Sequence, residues 1–344
     1  MRAYQLISPG VAGIQDVAVP VPGPGEVLVK VAGAGVCHSD LHILHAPAWP
    51  MLPMTLGHEI SGFVDSVGPG VSGWATGAPV IGYLCWGCGQ CRTCAAGYEN
   101  YCEAYGRAIT PGPGLGANGG MAEYVLFPAH YLVPLAERLD PVTAAPLADA
   151  ALTPWHAVNL ARPRLDNAGT AVVIGIGGLG HMTVQILAAT TGARIIAVDV
   201  DSGRLEQARR LGASDTVVSD EAAAGTILEL TKGRGAQAVF DVVGAGSTLA
   251  LAAGVIAPFG QIVAVGLAGG ALSFAADSPP RGLPWGAGIV KPYGGTRAEL
   301  HDLLALAARG ELTVHAEQHP LETAGEVFDL LDTGKVTGRA VLVP

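Results

Sequence analysis

Cys88, Cys91, Cys94 and Cys102 follow one another as C-x2-C-x2-C-x7-C, and no other stretch constrains the chain as tightly. A thiolate is a soft anionic ligand, and four of them complete a tetrahedral zinc with no open position. Such a closed site holds a loop in shape and does no chemistry. A disulfide pair or simply packed thiols is the competing explanation. Three cysteines at successive i, i+3 positions suit one metal better than separate bridges. Two further cysteines, Cys37 and Cys85, precede the run.

The 344 residues are enough for two domains, each with its own core. Half the residues are hydrophobic and few are charged, so burial is ample. A formal net charge of -10 argues against undirected affinity for nucleic acid or anionic membrane. The start, Met1-Arg2-Ala3-Tyr4-Gln5, runs into polar, turn-rich sequence without a signal-peptide pattern. With thiols grouped for metal, a reducing cytoplasmic setting is expected.

The first lobe reads as β-rich. Glu26–Val31 is a strand after the turn Pro22-Gly23-Pro24-Gly25, with shorter strands at residues 60–67, 78–81 and 122–127. Glycine and proline punctuate the whole region, which suggests an irregular antiparallel barrel whose loops carry function. Cys37 is expected in a turn after a strand ending near Val31. Residues 142–159 read as one helix, kinked at Pro154 and carrying Asp149. Strands and helices then alternate, and continuous apolar strands between helices predict a doubly wound parallel sheet. A helix from Thr296 through Ala308 and the strand Val341-Leu342-Val343 form a tail expected to return to the first lobe.

Residues 171–189 are apolar enough to be mistaken for a membrane span. Four glycines divide them into a β-branched run and a helical pattern, which a buried strand, tight turn and buried helix explain better. The division is Gly175-Ile176-Gly177-Gly178-Leu179-Gly180, a G-x-G-x-x-G motif. Alone in a glycine-rich chain the motif is weak, but here it follows a strand and opens a helix. Gly175 permits the turn, Gly177 lets a pyrophosphate approach, and Gly180 lets helix and strand pack. Gly178 and Leu179 add backbone N–H groups at the helix start. Asp199 ends the next strand, where a carboxylate accepts the adenosine ribose hydroxyls and repels the 2′-phosphate of NADP. NAD is therefore the expected cofactor. The alternative for Asp199 is an ordinary turn residue or helix cap, a role that Asp201 suits better.

Cys37-His38-Ser39-Asp40, Gly57-His58-Glu59 and Asp149 offer a thiolate, an imidazole and a carboxylate. Such a trio could hold a zinc with one position open for chemistry. Spacing alone does not join them, since a buried Cys, a satisfied His and a surface Asp are each common.

These marks together, with Pro292-Tyr293-Gly294, resemble the zinc-dependent alcohol dehydrogenases of the medium-chain dehydrogenase/reductase family over essentially the whole chain. The likeness is strongest to bacterial secondary-alcohol dehydrogenases, which have a segment similar to Pro146–Pro154 and an aspartate ligand. Many relatives have cysteine where Asp149 stands, and carboxylate is the harder ligand. The resemblance implies a GroES-like catalytic domain at residues 1–152 and 292–344 and a Rossmann domain at 153–291. It implies two zinc ions per chain. Cys37, His58 and Asp149 would bind the catalytic one, and Cys88, Cys91, Cys94 and Cys102 the structural one. Cys85 matches no ligand. Glu59 would be a transient ligand or electrostatic neighbour, and Asp40 would orient His58.

Ser39 and His42 would relay the alcohol proton through the nicotinamide ribose to water. An exposed loop histidine is the competing explanation for His42. His38 stands where some relatives place an arginine against pyrophosphate. Arg204 would sit near the ribose, or be a solvated helix charge. The Val265 backbone would meet the carboxamide end of nicotinamide. Trp49, Leu115, Trp285 and Tyr293 are substrate-pocket candidates, although both tryptophans suit a core or subunit interface equally well.

The implied reaction is reversible oxidation of a primary or secondary alcohol by NAD, in an enzyme expected to be a homotetramer rather than a dimer. One alternative is reduction of an iminium or activated C=C bond by NAD(P)H on the same fold. That reaction has less use for the relay. Another is a non-enzymatic nucleotide-binding protein, which would not need the Cys37, His58 and Asp149 set.

Overall fold

The computed structural model describes residues 1–165, 169–273 and 283–344. The chain divides into two compact units, Met1–Leu152 with Gly294–Pro344, and Thr153–Tyr293.

The first unit opens with β1 (Arg2–Ser8) and β2 (Val11–Asp16), which pair antiparallel. β3 (Glu26–Gly35) follows, then α1 (His38–Leu44), β4 (Met54–Thr55), β5 (Glu59–Val67), β6 (Pro79–Gly82), α2 (Arg92–Ala95), β7 (Tyr124–Pro128) and β8 (Leu132–Pro134). β3 is long because Val27, Leu28, Val29, Val31 and Ala34 all find buried positions. It continues beyond Val31 to Gly35, and Cys37 stands as the N-cap of α1 rather than in a free turn. β3 pairs with β5 and with β7, so it organises the sheet.

The helix expected over residues 142–159 is broken. α3 (Pro141–Ala144) runs into a 3-10 turn at Ala145–Ala148, and α4 (Leu152–Leu165) starts afresh. Pro154 does not kink anything. It sits in the first turn of α4, where a missing N–H removes no intrahelical bond. The proline inside α4 is Pro163. Asp149 lies in the break, at φ −138 and ψ −56, outside any helix.

In the second unit, strands and helices alternate as β9 (Thr170–Ile174), α5 (Gly180–Thr190), β10 (Arg194–Asp199), α6 (Ser202–Arg210), β11 (Asp215–Val218), α7 (Ala223–Leu230), β12 (Ala236–Asp241), α8 (Gly246–Val255), β13 (Ile256–Ala264) and β14 (Gly288–Val290). The six strands lie in the order β11-β10-β9-β12-β13-β14, all parallel. Val172, Ile174, Ile196, Val198, Val239 and Ile262 fill its core. The order reverses between β9 and β12, so the carboxyl ends of these strands flank a switch point.

α9 (Arg297–Ala308) begins at a capping box of Thr296 and Glu299. β15 (Ala316–Pro320), α10 (Ala324–Asp332) and β16 (Arg339–Val343) complete the chain. The tail returns to the first unit as expected, with Val341 opposite Gly35 and Leu342 opposite Ala34 on β3. β15, which the sequence did not suggest, adds in parallel to β16. No helix among the described residues is long and apolar enough to cross a membrane.

Candidate functional site

Two clusters of metal-ligating side chains lie in the first unit. In one, the ligand atoms of Cys88, Cys91, Cys94 and Cys102 all lie within 4.8 Å of one another. All six cysteines are free thiols, so disulfide pairing is set aside. The Cys91 and Cys102 sulfurs are 3.9 Å apart. Backbone N–H groups of Cys88 and Cys91 point at the Cys102 and Cys88 sulfurs, at 3.3 and 3.4 Å, as suits anionic sulfur. The Thr93 hydroxyl and the Cys94 N–H bring the Cys91 thiol down to about 5, while burial pushes Cys94 up to about 12. Four sulfurs at this spacing fit zinc and leave no side open. Around the lobe, Tyr131 donates to the Gly87 carbonyl at 2.5 Å and stacks on Trp86, and Arg297 meets Glu99 at 3.6 Å. Cys85 is buried and belongs to neither cluster.

The second cluster draws Cys37, His58, Glu59 and Asp149 together within the same 4.8 Å limit, every one buried. Asp149 Oδ2 lies 3.7 Å from Cys37 Sγ and 3.3 Å from His58 Nε2. Ligand pairs on a tetrahedral zinc with S, N and O donors stand about 3.3–3.8 Å apart, so the three fit that ion. Local structure explains each placement. Cys37 caps α1, and Asp40 accepts its N–H at 2.9 Å. The other oxygen of Asp40 faces His58 Nδ1 at 3.1 Å, which turns Nε2 toward Cys37 and Asp149. Burial disfavours the imidazolium of His58. The Asp40 charge, with hydrogen bonds to Asp149, Asp40 and Cys37, outweighs that and holds its pKa well above 6.5 in the metal-free site.

Glu59 has a partner that no sequence motif announced. Arg339, at the start of β16, donates to both Glu59 oxygens, from Nε at 2.9 Å and from Nη2. The Ala150 N–H adds a third donor at 3.0 Å, tying Glu59 to the segment that carries Asp149. Burial pushes the Glu59 carboxyl up, against the pull of Arg339. The close approach requires Gly35, where a Cβ would land 1.9 Å from Glu59 Oε2. The available signal was a lone arginine opening an otherwise apolar strand.

The second unit carries the glycine turn. Gly175 has φ +89, and a Cβ there would meet Val243 at 2.5 Å. A Cβ on Gly180 would strike the Gly175 carbonyl at 1.8 Å, whereas the same atom on Gly177 would meet nothing within 4 Å. Gly177 is thus the open side, as a phosphate approach requires. Gly178 and Leu179 lead into α5. Asp199 ends β10 nearly buried, with its carboxylate accepting the Ile176 N–H at 2.6 Å and the Asp201 N–H at 2.9 Å. This links the proposed ribose carboxylate to the glycine turn. Asp201 caps α6 through the Arg204 N–H, and Arg204 is half-buried in its first turn. Val265 follows β13, where its N–H donates to the Asp241 carbonyl at 2.8 Å.

The remaining candidates are scattered. His38, Ser39 and His42 lie on α1, and the Ser39 hydroxyl is 3.7 Å from Cys37 Sγ. Ser39 and His42, three residues apart, share a helix face, and His42 is exposed. Leu115 is buried and Trp49 half-buried, both in the first unit. Tyr293 closes the second unit. Trp285 also belongs to the second unit and is 74% exposed, so it fills no core.

Residues 23–137 match the alcohol dehydrogenase GroES-like domain family, and residues 178–309 the zinc-binding dehydrogenase family. The chain is 36% identical over 357 residues to an NAD-dependent alcohol dehydrogenase of Sulfurisphaera tokodaii, covering 100% of both. Among solved structures it is similar to the alcohol dehydrogenase of Aeropyrum pernix, with a TM-score of 0.92, 35% identity and full coverage of both chains. It is also similar to acetophenone reductase from Geotrichum candidum in complex with NAD, with a TM-score of 0.86 and 31% identity, covering 100% of this chain and 97% of that one.

Proposed function

This chain belongs to the zinc-dependent medium-chain alcohol dehydrogenases, and on that premise we propose that it oxidises a primary or secondary alcohol reversibly with NAD. The convergence of Cys37, His58 and Asp149, drawn from three distant stretches into one buried donor set, carries the reading. Its GroES-like unit would hold two zinc ions, and its Rossmann unit would bind the dinucleotide.

Cys37, His58 and Asp149 would hold the catalytic zinc, which when bound supplies Lewis acidity to the substrate oxygen. Asp40 keeps the His58 ring turned so that Nε2 stays available. Glu59 stands beside the donors with its charge matched by Arg339. Ser39 would take the alcohol proton, and exposed His42 would stand at the far end of the relay and release it to solvent. In the second unit, Gly175–Gly180 would cradle the pyrophosphate; His38, in the first unit, remains a candidate for that group by resemblance alone. Asp199 would accept the ribose hydroxyls, with Arg204 beside them, and the Val265 backbone would meet the carboxamide. Trp49, Leu115, Trp285 and Tyr293 remain our candidates for the alcohol's apolar part. The named relatives favour alcohol chemistry over imine or C=C reduction. The resemblance further implies a cytoplasmic homotetramer, which light scattering would test.

The deciding experiment is NADH formation across alcohol classes, run beside metal analysis. Two zinc ions per chain and faster turnover with NAD than with NADP are expected. One zinc per chain, with undiminished turnover in Cys37→Ala, would sink the catalytic-zinc assignment. A higher kcat/KM with NADP would overturn the role given to Asp199.

A further inference from the structure

Asp241 ends β12 with no exposed surface, and none of the roles above uses its carboxylate. β12 lies between β9, which feeds the glycine turn, and β13, which leads to Val265. A buried carboxylate is costly unless hydrogen bonds match it. Oδ1 of Asp241 accepts the N–H groups of Val243 at 3.0 Å and Gly244 at 2.9 Å. Oδ2 accepts the Thr248 hydroxyl at 2.9 Å, and that hydroxyl accepts the Ala245 N–H at 3.0 Å. The carboxylate thereby holds the bend from Val242 to Ala245 that enters α8.

That bend touches both parts of the proposed dinucleotide site. The Val242 N–H donates to the Ile174 carbonyl, one residue before Gly175. Val243 packs where a Gly175 Cβ would be, and Val242 lies 3.4 Å from the Cβ position of Gly180. On the opposite side, the Asp241 carbonyl accepts from Val265 at 2.8 Å and Gly266 at 3.0 Å. The Val243 and Gly244 carbonyls accept from Ala268 and Gly270. Gly244 and Gly266 come so close that a Cβ on Gly244 would lie 2.2 Å from the Gly266 carbonyl.

We propose that Asp241 is a positioning residue for the dinucleotide. It sets the spacing between the pyrophosphate turn at Gly175–Gly180 and the backbone at Val265, and it does so without touching the cofactor. The inference rests on the NAD reading above. Asp241→Ala would orphan two backbone donors and let the bend relax. Asp241→Asn keeps an acceptor oxygen for both N–H groups. Thr248→Val removes the hydroxyl that joins Asp241 to Ala245, at a half-buried position, and guards against loss of folding.

NADH affinity is read by fluorescence titration, with zinc content and both KM values measured beside it. Asp241→Ala should weaken NADH about 10-fold and raise KM for NAD in step, with zinc content and KM for the alcohol unchanged. Thr248→Val should weaken NADH about 3-fold, and Asp241→Asn should restore most of the affinity lost in Asp241→Ala. A folded Asp241→Ala, or Thr248→Val, that binds NADH as the unaltered protein does would overturn the inference. A fall in thermal stability with NADH affinity unchanged would overturn it equally. Failure of the unaltered protein to bind NADH removes the NAD premise instead, so the two failures are told apart.

Discussion

The two thiol-bearing clusters use the same chemistry in opposite surroundings. The four-cysteine lobe takes all its ligands from residues 88–102, and its Cys88 is exposed. The mixed cluster joins Cys37 to Asp149 across 112 residues and is wholly buried. A local set can be assembled by one loop and can only stiffen that loop. A distant set needs a finished fold around it, which lets it be dry, asymmetric and open to a substrate. The difference teaches that the conspicuous cluster marks the family, while on the reading proposed above the inconspicuous one would carry the reaction.

The largest test of this contrast is Cys37→Ala. Turnover should fall by more than about 100-fold, the upper end for losing a mere outer partner of a metal ligand, with one zinc lost and the fold kept. NADH formation and metal analysis read it. Retained turnover would break the contrast outright.

Arg339→Leu is next. It would leave the Glu59 charge buried without its main partner, which costs about 3–5 kcal/mol of stability. Chemical denaturation measures this, and adding Glu59→Leu should recover much of the loss. The corresponding pair at the lobe surface, Arg92 with Glu103, has Arg92 88% exposed and should contribute less than about 1 kcal/mol.

Cys94→Ala should remove the other zinc and lower the melting temperature by roughly 5–10 °C. Turnover per folded chain should stay near normal. Unchanged zinc content would contradict the lobe assignment.

The smallest effect is on pH. Burial works against the His58 imidazolium, but the Asp40 charge and the hydrogen bonds to Asp149, Asp40 and Cys37 outweigh it and shift His58 toward its protonated form in the metal-free protein. Zinc must expel that proton, so binding at the mixed site tightens as pH rises and weakens as it falls. The change is at least about tenfold per pH unit until the His58 pKa is passed. Chelator competition one pH unit apart checks the slope, and a flat response would place the proton elsewhere.

Much of this was legible because the signals were short-range. The strand–glycine turn–helix at residues 171–190 and the C-x2-C-x2-C run each declare themselves within a few turns of chain. Asp201 as the cap of α6 was readable for the same reason. Asp149 joins the donor set that the sequence suggested, but from a break between helices and not from a helix. The apolar pattern of residues 142–159 is nearly continuous, and the one mark passed over was Pro146, which opens the 3-10 turn that frees the carboxylate from a helix. Arg339 was missed because its meaning depends on Glu59, 280 residues away. Asp241 was silent because it follows an ordinary buried strand, and its three donors become visible only once the bend is formed.

By itself the sequence determined the family, the two-part architecture and the closed character of the four-cysteine lobe, since each follows from ligand type or periodicity over neighbouring residues. Only the tertiary structure decided that Cys37, His58 and Asp149 share one space, and that Glu59 sits among them neutralised by an arginine from the end of the chain. The reason is physical: a buried charge or an open metal site is tolerable only when distant backbone and side chains close around it, and spacing along the chain carries no record of that closure.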